Sequence, residues 1–98
     1  MAERDKDFLK RLLATFRVEA TEHLKLMTAG LLELEKTPPA EKQMTIVENV
    51  FREAHSLKGA ARSVGLRPIE AMCHHLEEVL RAVQDGLLPI EAELFAVL

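Results

Sequence analysis

The chain has 98 residues, 48% of them hydrophobic, and carries 13 Lys and Arg against 16 Asp and Glu for a net charge of −3. That length supports one small domain with an adequate core and leaves no room for a second, and the mild acidity excludes a global basic field that would gather nucleic acid. A lone cysteine, Cys73, excludes an internal disulfide and a cysteine-built zinc site, and no run of the sequence approaches the roughly 18 to 20 apolar residues of a membrane helix, so a cytoplasmic protein with no membrane contact is expected.

From Asp7 to Lys36 the apolar residues Leu9, Leu13, Phe16, Ala20, Leu24, Met27, Leu31 and Leu34 recur every three or four positions. This spacing predicts one long amphipathic helix over 7–36. Thr37-Pro38-Pro39 ends it, because tandem prolines remove backbone donors and disfavour helical geometry in the residue before them. A second helix, 40–64, is predicted from Met44, Val47, Val50, Phe51, Ala54, Leu57, Ala61 and Val64, closing at Gly65, a residue suited to a left-handed cap. Pro68 opens a third, 68–85, as a first-turn proline. Its stripe is Ile69, Met72, Cys73, Leu76, Val79, Leu80 and Val83, and it stops at Asp85-Gly86. The last segment, 89–98, places Ile90, Leu94, Val97 and Leu98 on one face and ends without a cap or polar tail. It predicts a fourth helix near the cut edge of a longer protein. No segment alternates with period two over strand length, and the simplest packing is an all-α antiparallel four-helix bundle with short loops.

The stretch His55-Ser56-Leu57-Lys58-Gly59 lies in the middle of the second helix. A glycine there costs about 0.5 to 1 kcal/mol relative to alanine. Gly59 stands one turn after His55 on the same face, where a missing side chain lets a foreign backbone approach the imidazole. At about 100° per residue, His55, Gly59 and Arg62 share the flank of the core stripe, so His55 is expected to face solvent. A neutral imidazole attacks phosphorus directly, and the resulting phosphorus–nitrogen bond is labile enough to pass the group on to a carboxylate. With no helix N-terminus at a mid-helix histidine, side-chain cations must meet the anion. Lys58 is one turn away, and Arg62 or Arg52 can reach the same surface. An imidazole nucleophile also needs an acceptor for its other N–H. On the third helix Glu77, Glu70, Arg81 and His74 share a flank, and either Glu77 or Glu70 can face His55; spacing does not choose between them.

His55-Ser56-Leu57-Lys58-Gly59 resembles the His-x-x-Lys-Gly signature of histidine-phosphotransfer (HPt) domains. His74-His75-Leu76-Glu77 follows at the spacing of the His-x-x-Glu motif found in the phosphotransfer domain of CheA-type chemotaxis histidine kinases. The resemblance spans nearly the whole chain, from the first helix with Leu31-Leu32-Glu33-Leu34-Glu35 to Asp85-Gly86. It implies a single phosphotransfer domain over 1–98, the N-terminal part of a longer kinase, cut short of a fifth helix. It also implies His55 as the phosphorylated residue, Glu77 as the acceptor that orients it, and His74 and Lys58 as the rest of the polar network; Gly59, Arg62 and Arg52 are expected at the docking face from their place beside His55 on the second helix. The implied partners are the ATP-binding kinase domain of a CheA-type protein and response-regulator receiver domains. No cofactor or metal is expected within the domain. Arg62 departs from the family, which commonly has a small residue there, and so bears on which regulator is preferred.

Rival readings fare less well. Cys73, His74, His75 and Glu77 are dense in metal donors, but adjacent helix residues point in different directions and the Glu-x-x-His pairs of di-iron bundles are absent. A docking module without phosphorylation would have no need of His55. An autonomous kinase is excluded by the absence of a phosphate-cradling glycine loop and by too little chain to enclose ATP. His23 and His75 read as ordinary surface or boundary residues, Met27, Met44 and Met72 as packing residues, and Cys73 as a small buried hydrophobe.

Overall fold

A computed structural model describes residues 3–90. Three helices follow one another: α1 (Glu3–Glu35), α2 (Ala40–Ser63) and α3 (Arg67–Gln84). Their bounds fall within a residue of the expected ones, apart from α1, which begins four residues earlier than 7. Among the described residues the protein is all-helical. The expected fourth helix, 89–98, differs at its start, since Pro89 and Ile90 are not helical; the remainder lies outside the described residues.

The connections use local chemistry. The Gln43 backbone N–H donates to the Pro39 carbonyl and its side-chain amide to the Pro38 carbonyl, which starts α2 on the proline pair. At the end of α2, Gly65 adopts φ 73° while the N–H groups of Gly65 and Leu66 donate to the Arg62 and Ala61 carbonyls. Gly86, at φ 74°, repeats this closure after α3 with Leu87 bonded to Ala82. Both are Schellman caps, in which a left-handed residue lets orphan carbonyls find donors. Thr37 takes a left-handed φ of 48° without being glycine, a strained choice for a β-branched residue wedged before Pro38.

Helix α2 is the central element, packed against α1 on one side and α3 on the other. Its Ile46, Val47, Val50, Ala54, Leu57 and Ala61 are all buried, and α1 contributes Phe16, Met27 and Leu34 while α3 contributes Cys73, Leu80 and Val83. Several residues expected in the core are not there. Met44 is exposed, and Ile46 takes the first buried position of α2 instead. At about 100° per residue, Met44 lies about 120° round the helix from Val50, whereas Ile46 is only about 40° away. Leu9 and Leu13 are exposed because α1 outruns its neighbour: His23 pairs with Glu53, so ten residues earlier Leu13 stands level with Ser63, the last residue of α2. Leu24 and Met72 are exposed too, on the walls of an apolar groove of about 660 Å³ between α1 and α3, with Leu57 among its lining residues.

Candidate functional site

Two antiparallel helices, α2 and α3, bring the motif residues of both together. Glu77 is the only buried charged residue among the described ones, 8% exposed. Its two carboxylate oxygens are shared: Oε2 accepts a 3.0 Å hydrogen bond from Lys58 Nζ, and Oε1 lies 3.4 Å from His55 Nδ1. Lys58 is itself largely buried, with 17% of its side chain exposed, whereas His55 is 66% exposed. A buried carboxylate is costly unless it is paired and hydrogen-bonded, and the Lys58 ammonium supplies that pairing. Glu77 Oε1 has no hydrogen-bond partner. The imidazole Nδ1 is thus positioned for an N–H that would satisfy Oε1 through a small side-chain rotation, which leaves Nε2 as the free, basic nitrogen.

Around this pair is an open cavity of about 380 Å³, lined by Phe51, His55, Lys58, His74, Glu77, Glu78 and Arg81. His74 lines it with no hydrogen bond or ion pair to His55 or Glu77; its Nε2 pairs at 2.8 Å with Glu78 one turn on. Of the other sequence candidates, Glu70 pairs with Arg62 farther along the same two helices, so Glu77 and not Glu70 stands at the imidazole. Arg52 pairs with Glu48 on its own helix at 2.8 Å. Neither Arg62 nor Arg52 lines the cavity. Gly59 is exposed, and a Cβ added there would meet nothing within 4 Å. Among the described residues no contact therefore requires the glycine, which leaves a smooth patch one turn from His55.

Cys73, His74 and His75 diverge as adjacent helix residues must. Cys73 is buried, His74 faces the cavity and His75 lines the groove between α1 and α3. Burial pushes the Cys73 thiol up from its ordinary range, Glu77 adds to that and Lys58 opposes it, so the thiol stays protonated and inert. Three tertiary contacts were not read from the sequence. Gly30 of α1 faces Val50 so closely that a Cβ would collide with Val50 Cγ2. His23 Nδ1 pairs with Glu53 Oε2 at 2.6 Å, tying α1 to α2. The Arg81 guanidinium lies over the Phe51 ring, 5.4 Å from its centroid. For Arg81 the sequence did hold a signal, its place on the flank shared by Glu77 and His74.

Comparison with known proteins agrees with the motifs. Residues 11–98 match the family model of the Hpt domain. The chain is 32% identical over 87 residues to the chemotaxis protein CheA of Listeria monocytogenes, covering 89% of this chain and 14% of that protein. It is 32% identical over 90 residues to CheA of Bacillus subtilis, covering 92% and 13% respectively. Against the gliding motility regulatory protein of Myxococcus xanthus the identity is 39% over 83 residues, 84% of this chain and 10% of the relative. The chain thus spans only about a seventh of these curated relatives or less, and no solved structure matches it. The match over most of its length shows that the chain belongs to the Hpt domain family.

Proposed function

We propose that the domain accepts the γ-phosphoryl group of ATP, bound to a separate kinase domain, onto Nε2 of His55 and donates it to a receiver-domain aspartate. In the first step the Nε2 lone pair forms the bond to phosphorus as the bridging P–O bond breaks and its electron pair leaves on ADP. In the second an aspartate oxygen takes the phosphorus and the electron pair returns to Nε2. Glu77 holds the Nδ1 proton and stabilises the charge that builds on the ring, Lys58 fixes Glu77, and the kinase and receiver supply most of the remaining electrostatic stabilisation. His74, paired with Glu78, lines the approach. Gly59 admits the partner backbone, with Arg62 and Arg52 at the margin of the docking face. The observation that carries this reading is the pairing of an exposed imidazole with a buried carboxylate whose Oε1 has no other partner.

The chain is then one domain of a longer kinase. A four-helix bundle is the architecture this reading calls for, and Ile90 packs against the core that α1, α2 and α3 form. Among the described residues no helix is long and apolar enough to cross a membrane, in keeping with a domain that meets its partners in the cytoplasm.

The test is to incubate the chain with labelled ATP and a CheA-type kinase domain, then with receiver domains. Acid-labile label is expected on the wild type, none on His55→Gln, and passage to a receiver aspartate. Binding of receivers without any labelling would instead identify a docking module.

A further inference from the structure

We propose that Arg81 is the cation that takes the phosphoryl oxygens once His55 is phosphorylated, a direct ligand of the phosphohistidine; this rests on the assignment of His55 as the phosphate acceptor. The phosphoryl group brings close to two negative charges into a cavity that two carboxylates, Glu77 and Glu78, already line. The other side chains there that could donate to an anion are committed. Lys58 is bonded to Glu77 and His74 to Glu78. Among the described residues Arg81 is the one cation lining the cavity with no carboxylate within ion-pair distance.

Its position suits the task. Phe51 precedes His55 by four residues on α2 and Arg81 follows Glu77 by four on α3, so the Arg81–Phe51 contact is the rung of the seam next to His55–Glu77. The two rungs are separated by about 6 Å along the helices, a span that a phosphoryl group and one charge-assisted hydrogen bond of about 2.8 Å bridge. The Phe51 ring holds the guanidinium beside the cavity through a cation–π contact, and a guanidinium offers the two-pronged N–H donation that phosphate oxygens accept. Because His55 is mid-helix, no helix N-terminus offers backbone donors in its place.

The experiment uses the whole chain and phosphoramidate as donor, which forms the Nε2–P bond as its own P–N bond breaks and ammonia leaves, so no kinase domain enters the readout. Phosphorus NMR follows the titration of the phosphohistidine in the wild type, Arg81→Ala and Arg81→Lys, and nitrogen-edited spectra follow the Arg81 Nε–H resonance in the wild type. A guanidinium on the phosphoryl group favours its dianion, so the midpoint is expected to rise in Arg81→Ala, to be partly restored in Arg81→Lys, and the Arg81 resonance to move on phosphorylation. Phosphohistidine at His55 with the same midpoint in all three proteins and an unmoved Arg81 resonance would overturn the proposal and leave the His55 assignment standing. Absence of phosphohistidine from His55 in the wild type would overturn both.

Discussion

The two faces of α2 are built on opposite principles. Toward α1 the seam closes on backbone: Gly30 brings the helices so near that Val50 fills the space a side chain would need, and the paired His23 and Glu53 clasp the rim. Toward α3 the seam carries long polar side chains, with Glu77 buried, Lys58 largely covered beside it and a cavity next to them. The first arrangement spends its contacts on rigidity. The second places a charged pair under an exposed imidazole and keeps room beside it for an incoming group, so the packed seam supports the functional one.

Substitutions on the two faces should therefore separate stability from chemistry. The largest effect is expected at His55→Gln, which removes the nucleophile: labelling by a kinase domain should vanish, while chemical denaturation shifts by less than about 0.5 kcal/mol because the side chain faces solvent. Glu77→Ala strikes both properties. It should slow phosphorylation about 10- to 100-fold through lost control of the ring proton, and it should destabilise the fold by about 1 to 3 kcal/mol as Lys58 loses its buried partner. Equal phosphorylation rates in stopped-time labelling would reduce Glu77 to a structural ion-pair partner. Gly30→Ala is the mirror case. It should cost about 1 to 3 kcal/mol by overpacking against Val50, despite alanine's better helix propensity, with labelling unchanged in the folded fraction. Gly59→Ala, smallest of these, should raise stability by about 0.5 to 1 kcal/mol, because its new Cβ meets nothing, yet weaken receiver binding in calorimetry. Unaltered binding would end the close-approach role of this glycine.

The buried thiol adds a pH signature on the same seam. The folded state holds the Cys73 proton more tightly than the unfolded chain does, so its contribution to stability is complete below the ordinary thiol range and is lost as pH rises through and beyond it. Denaturation midpoints of the wild type should fall more steeply at alkaline pH than those of Cys73→Ala.

Much of this was legible beforehand, and for identifiable reasons. Proline and glycine punctuation placed the ends of α2 and α3, since Pro38-Pro39, Gly65 and Gly86 act through backbone geometry that does not depend on neighbours. His55, Lys58 and Gly59 stand out through spacing on a single helix. Choosing Glu77 over Glu70 needed the register of two helices, which angular counting along one cannot supply. Periodicity names the apolar face of a helix but not what covers it, which is why Leu9, Leu13, Leu24 and Met72 carry the pattern of core residues and are exposed. Gly30 against Val50, the His23–Glu53 pair and the Arg81–Phe51 contact are tertiary meetings between residues four turns or more apart in sequence, and only Arg81 carries a local mark, its place on the flank of α3 shared with Glu77 and His74.

Nitrogen NMR of the His55 ring reads the polar seam most directly. If Glu77 holds the Nδ1 proton, the neutral ring will carry its hydrogen on Nδ1 in the wild type, phosphorylation will attach phosphorus to Nε2, and Glu77→Ala will release the tautomer preference. A ring protonated on Nε2, or phosphorus found on Nδ1, would show that Glu77 does not set the nucleophile.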